Sequence, residues 1–150
     1  MNKTLPRAPS HGFTLLELTA ALAVVGLLAA IGWNSYSQYM LKARRAEGRA
    51  ALLQVLIQQE RQFSYQHRYQ AFQPGAGETG FKWYSGETPS TIAYAIAAQA
   101  CDGEDLSTCV RIIATPGGPA VNTAYRDEQC GILYADSRGR RGAAGGAACW

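Results

Sequence analysis

The sequence predicts an α+β protein: a long N-terminal helix, membrane-spanning in its first half and amphipathic in its second, packed on a small antiparallel β-sheet head. Three observations predict it. Residues 18–33 carry no charge and are almost wholly apolar. No proline occurs between Thr14 and Phe63. After residue 90, short segments of alternating apolar character lie between clusters of turn-forming residues.

Each element follows from local chemistry. Leu, Ala, Gln, Glu and Arg dominate residues 14–63, all good helix formers, while Gly26, Gly32 and Gly48 each cost only about 1 kcal/mol relative to alanine. Leu52, Leu53, Leu56, Ile57 and Phe63 recur at helical spacing, with Gln58, Gln59, Arg61 and Gln62 assigned to the other side. A helix of about 50 residues is about 75 Å long. A globule of 150 residues cannot bury that length, so the first half is expected to project. Residues 73–90, QPGAGETGFKWYSGETPS, read as a long loop. TIAYAIAA, at 91–98, alternates Ile92, Tyr94 and Ile96 with small residues, the period of a strand. CVRIIA (109–114) and GILYA (131–135) are the second and third strands. They are closed by Thr115-Pro116-Gly117-Gly118-Pro119 and by Asp136-Ser137-Arg138-Gly139. RGRRGAAGGAA is low in complexity, with Cys149 to tie it down.

The net charge of +3 is too small to imply a nucleic-acid partner by itself. Cys101, Cys109, Cys130 and Cys149 all fall in the last third and lack the CxxC pairs of a zinc ribbon. Only His11 and His67 are there to supplement them, so no metal site is expected. An even count behind a hydrophobic N-terminus points to two disulfides formed in an oxidising compartment, with three connectivities open. There is no Ser-His-Asp set, no HExxH and no GxxxxGK[ST] loop. The chain reads as a non-enzyme without a cofactor.

The stretch GFTLLELTAALAVVGLLAAIGW, residues 12–33, raises one question: why does it keep an acid, Glu17, near its start? In a signal peptide cleaved after Ala30-Ile31-Gly32, or in a permanent anchor, Glu17 is incidental at a cost of roughly 2.5–3.5 kcal/mol. Thr14-Leu15-Leu16-Glu17 also matches the T-x-x-E capping box, which contributes about 1 kcal/mol at a helix start. Capping explains why an acid is tolerated there, not why an uncharged span retains one. A cut between Gly12 and Phe13 supplies a reason. It frees an α-amino group four residues from Glu17, and opposite charges at one depth of an apolar medium attract strongly. The two need not belong to one chain. If helices of several subunits pack displaced along their axes, the acid of one meets the amine of the next, and a filament is where Glu17 is neutralised.

GFTLLEL behind a short basic leader, with Lys3 and Arg7, resembles the cleavage and assembly motif of type IV prepilins. The resemblance implies that prepilin peptidase removes residues 1–12 by cutting after Gly12, that Phe13 is N-methylated, and that Glu17 is the assembly acid. Loss of the leader leaves 12 basic of the 14 against 11 acidic side chains. KARRAEGRAALLQV resembles the helix continuation of a group of minor pilins. CGILYADSRGRRG with a final Cys-Trp resembles the same group's C-terminal signature, which implies a Cys130–Cys149 disulfide. Cys101 and Cys109 lie outside that signature, and pairing them with each other is the local choice. On a chain-entropy model the two bridges contribute about 3 and about 2.5 kcal/mol. Many pilins carry a proline where this chain has Asn34, so any kink falls to Gly32 and Asn34. Counting Lys3 and Arg7 against Lys42, Arg44, Arg45 and Arg49, the positive-inside rule opposes the implied orientation. The leader motif and the cysteines decide for it.

The resemblance implies a leader at 1–12, a membrane and filament-core helix at 13–35, and a head outside the cytoplasm at 36–150. It implies a minor pilin that supports pilus biogenesis, twitching motility and surface adhesion. The alternatives are a DNA-uptake receptor pilin or, less favoured, a secretion-system pseudopilin or a signal-cleaved secreted domain. Implied partners are other pilins in a helical filament, prepilin peptidase, the inner-membrane assembly platform, and membrane lipid before assembly. The implied location is the inner membrane, single-pass, and then the pilus at the cell surface. Lys42, Arg44 and Arg45 are expected to meet lipid headgroups first and neighbouring subunits later. Lys82, Arg138, Arg140 and Arg141, with Phe81, Trp83 and Tyr84, are the candidate contact for DNA or a surface. A charged turn and a packed aromatic loop are favoured over DNA at those positions. Asp102, Glu104 and Asp105 fail the calcium-loop pattern and read as a solvated hairpin tip.

Overall fold

The computed structural model describes residues 13–76, 80–87 and 92–150, except the side chains of residues 31, 32 and 34. The leader and Gly12, on which the cleavage reading rests, lie outside the described residues, as does Thr91 of the first expected strand. The chain divides into two units, 1–39 and 40–150, each taken by itself.

Helix α1, Leu15–Gln66, runs 52 residues without a break. Its helical assignment continues through residues 32–34, the positions to which a kink was assigned. In the first unit every side chain from Phe13 to Ala30 is exposed. The helix is long and apolar enough to cross a membrane. At its other end His67 turns left-handed, with φ 52°, and its N–H donates to the Phe63 carbonyl at 2.8 Å, which closes the helix.

The second unit is a four-stranded antiparallel meander under the C-terminal half of α1. Strands β1 (Tyr94–Ala100), β2 (Val110–Pro116), β3 (Leu133–Asp136) and β4 (Arg141–Ala143) lie in that spatial order. Tyr94 pairs with Pro116, Ile112 with Ala135 and Tyr134 with Gly142. Phe72, just before the expected loop, and Tyr84 within it bridge to Ala98 and Ala95 along the free edge of β1, which leaves fewer unpaired backbone groups there. One face of the sheet, carrying Tyr94, Ile96, Ile112 and Leu133, packs on Leu52 and Val55 of α1. All six are fully buried, each contributing about 1.5–3 kcal/mol as an aliphatic or aromatic side chain. Ile92, Ala95 and Val121 form a smaller cluster with Trp83 and Tyr84.

Two readings of the sequence are corrected by the structure. The buried stripe of α1 runs Arg45, Gly48, Leu52, Val55 and Gln59, while Leu53 and Ile57 are 38% and 55% exposed. Gln59, assigned to the polar side, is buried because its amide clasps the backbone of Gln70: Nε2 donates to the carbonyl at 2.7 Å and Oε1 accepts from the N–H at 2.9 Å. The second correction is β4, which forms within the low-complexity stretch. Asp136 holds its hairpin turn, accepting from the N–H of Arg138 (3.1 Å) and of Arg140 (2.9 Å) and from Arg140 Nε (2.6 Å).

Candidate assembly site and head contacts

At the start of α1, Thr14 and Glu17 form the reciprocal capping box. Glu17 N–H donates to Thr14 Oγ1 at 3.2 Å, while Thr14 N–H and Oγ1 donate to Glu17 Oε2, each at 3.3 Å. The described bonds all fall on one carboxylate oxygen. Phe13, Leu15 and Leu16 beside it are exposed. This end therefore presents an acid on an apolar rod surface, with a local cap that satisfies the acid only in part.

Within the head, Arg45 does not behave as a headgroup contact. It is buried and bidentate to Asp127, with Nε to Oδ2 and Nη2 to Oδ1 both at 2.7 Å, and Nη2 also reaches Gln129 Oε1 at 3.0 Å. The Tyr94 hydroxyl donates to Asp127 Oδ2 at 2.7 Å, and Cys130 N–H donates to Oδ1 at 3.0 Å. Tyr125 completes the cluster, its hydroxyl 3.4 Å from that of Tyr94. Burial drives the Asp127 carboxyl upward, but the hydrogen bonds from Arg45, Tyr94 and Cys130 outweigh it and hold it below the usual carboxylate range. The hydrogen bond with Asp127 raises Arg45, and burial pushes the Tyr94 and Tyr125 phenols up, Tyr94 most strongly. The group is a hydrogen-bonded polar clasp between α1 and the loop before β3. Sequence reading missed it. The available signal was the placement of Arg45 on the same heptad-spaced line as Leu52, Val55 and Gln59.

Arg44 lies over the Tyr125 ring at 5.1 Å, so of the three cations expected to meet lipid only Lys42 is exposed and uncommitted among the described residues. Arg49 Nη1 donates to the Cys149 carbonyl at 3.1 Å. Cys130 is bonded to Cys149, and Cys101 to Cys109. No free thiol remains for nucleophilic chemistry or for metal.

The four candidate ligand contacts do not come together. Lys82 stands 5.2 Å over the Tyr84 ring, in the segment that edges β1. Arg138, Arg140 and Arg141 lie in the β3–β4 hairpin at the other side of the sheet. Arg138 pairs with Glu104 and Arg140 with Asp136, so two of the three arginine charges are already neutralised. Arg111 pairs with Asp102 at 2.7 Å. Asp102 and Glu104 of the 101–109 hairpin thus serve as partners for arginines.

Two family models match this chain. One, described as a prokaryotic N-terminal methylation motif, covers residues 7–33. The other, described as type IV minor pilin ComP, DNA uptake sequence receptor, covers residues 34–134, more than half of the chain. The chain belongs to the type IV minor pilins. A curated relative, the type IV major pilin protein PilA of Myxococcus xanthus (strain DK1622), is 29% identical over 118 residues, 78% of this chain and 51% of its own. The minor pilin therefore spans about half the length of that relative. From Phe13 on, the methylation motif falls on the exposed apolar start of α1, and the minor pilin model falls on the rest of α1 and most of the sheet.

Proposed function

We propose that this minor pilin is cut between Gly12 and Phe13 by a prepilin peptidase, N-methylated at Phe13, and held in the inner membrane by residues 13–35. The head, residues 36–150, stands outside the cytoplasm. The assembly platform then moves the subunit into a pilus of other pilins at the cell surface. Glu17 is the residue that selects the filament, by meeting the freed amine of a neighbouring subunit. The start of α1 supports this most directly: a capped acid is followed by an apolar surface with no protein partner among the described residues. Such a surface requires lipid or sibling helices around it. Intact-mass analysis of subunits from sheared pili tests the reading. A chain beginning at methylated Phe13 is expected. A chain that retains the leader, or begins at Trp33, overturns it.

Twitching motility and surface adhesion are the filament roles we assign first. A second reading, DNA capture by the head, is favoured by the description of the matched family. On this chain it rests on cations that form no ion pair among the described residues, Lys82 beside Trp83 and Tyr84, and Arg141 in β4. A salt titration of duplex DNA binding tests it. If Lys82 or Arg141 neutralises a phosphate, its replacement by alanine lowers the slope of log affinity against log salt by about 0.9. An unchanged slope in both variants removes those residues from the reading.

A further inference from the structure

Lys42, Arg45 and Arg49 recur at i, i+3 and i+7 along α1 and so share one helix face. With Ala148 and Cys149 they line a cavity of about 250 Å³. Their donors are not all spent. Arg45 uses Nε and Nη2 on Asp127 and Gln129, which leaves Nη1. Arg49 uses Nη1 on the Cys149 carbonyl, which leaves Nε and Nη2. Lys42 has no hydrogen bond or ion pair to any described residue. No carboxylate is among the described lining residues. Asp127 cancels the charge of Arg45, so Lys42 and Arg49 give the cavity its positive character. Three cations around one cavity, with unspent N–H donors and no carboxylate among its described lining residues, suit a phosphodiester.

We propose that this cavity holds the phosphate of an anionic phospholipid headgroup while the chain resides in the membrane, an assignment that rests on the anchoring reading above. Sequence spacing favours lipid as the source of that phosphate. Lys42 is the first charged residue after Glu17, 25 positions further on. That is about 37 Å of helix, close to the roughly 40–45 Å thickness of a bilayer with its headgroups. Trp33, Tyr36 and Tyr39 precede Lys42 and are 76%, 61% and 70% exposed. Aromatic residues of this kind settle at the membrane interface. Helical side chains tilt toward the N-terminus, so Arg45 and Arg49 reach back toward the level of Lys42. The headgroup contact expected of Lys42, Arg44 and Arg45 is thereby reassigned to Lys42 and Arg49, with Arg45 as a neutralised donor in the wall.

The test uses the full chain in phosphatidylcholine nanodiscs doped with phosphatidylglycerol, followed by native mass spectrometry of the lipids retained on release. The wild type is expected to keep one phosphatidylglycerol. At about a factor of five per basic residue near an anionic surface, Lys42→Gln loses about fivefold in retention and Lys42→Gln/Arg49→Gln about thirtyfold. Lys42→Gln removes no bond within the head, so its effect is separable from folding. Added inorganic phosphate should leave retention unchanged. Displacement by inorganic phosphate makes this a free-phosphate site and overturns the lipid assignment. Equal retention by wild type and both variants also overturns it. A chain that never enters the nanodiscs overturns the anchor and the site together, whereas a chain that enters without enriching the anionic lipid overturns the site alone.

Discussion

Gly48 stands where α1 comes closest to the sheet: a Cβ there would lie 2.9 Å from Tyr94 Cδ2. Tyr94 is fully buried with its hydroxyl bound to Asp127, so the ring has nowhere to retreat. Glycine to alanine inside a helix ordinarily gains about 1 kcal/mol. Overpacking costs about 1–3 kcal/mol and reverses the sign here. Gly48→Ala is expected to destabilise the head by about 1 kcal/mol net and so lower its denaturation midpoint, and a raised midpoint refutes the close approach. Asp127 makes the complementary case for charge. Its carboxyl is held below its ordinary value, so its stabilising contribution is complete above the unfolded value of about 3.9 and is lost as pH falls through the folded one. Asp127→Asn leaves Arg45 buried without its partner, at a cost of about 3–5 kcal/mol at neutral pH. Urea denaturation across pH should show wild type and variant converging in acid. A constant gap between them contradicts the clasp.

The two disulfides close loops of different consequence for the elements around them. Cys101–Cys109 pins the β1–β2 hairpin. Cys130–Cys149 also fixes the carbonyl that Arg49 binds and the N–H that Asp127 accepts, joining α1 to the end of the chain. Cys130→Ser/Cys149→Ser should therefore lower unfolding free energy by at least about 3 kcal/mol, against about 2.5 for Cys101→Ser/Cys109→Ser. Calorimetry giving the reverse order would contradict that role. The same elements show what a linear reading can and cannot deliver. The helix and three strands announce themselves by period and by turn residues. Strand β4 does not, because Arg141, Gly142 and Ala143 have no apolar alternation and become a strand only by pairing with Leu133, Tyr134 and Ala135. The buried face of α1 is misplaced by counting apolar residues, which weights Leu53 and Ile57 like Leu52. Such counting also cannot see that Gln70 and Asp127 satisfy Gln59 and Arg45 from 11 and 82 residues away. Glu17 and Thr14 are legible because they lie three residues apart. Composition groups Lys82 with the hairpin arginines, and strand order separates them.

For the whole molecule, the question is how one acid serves two environments. With every side chain from Phe13 to Ala30 exposed, the first unit needs an apolar medium, supplied by lipid at first and by sibling helices later. In lipid, the capping box with Thr14 shares the burden of Glu17. In a filament, on the reading proposed above, the amine of a neighbour neutralises it. The two contributions separate by substitution. Glu17→Ala removes the charge and the carboxylate half of the capping box, while the bond from the residue-17 N–H to Thr14 Oγ1 stays. That loss, at most about 1 kcal/mol, is too small to expel the helix from the membrane, so processing should continue while the subunit disappears from sheared pili. Glu17→Gln keeps a side chain able to complete the capping box and discards only the charge. If neutralisation by a neighbour governs entry, Glu17→Gln is processed in the membrane fraction and absent from filaments, like the alanine variant. Quantitative mass spectrometry of both fractions reads this directly. Wild-type amounts of Glu17→Gln in pili would assign the residue to helix capping and leave assembly without a charge partner at this position.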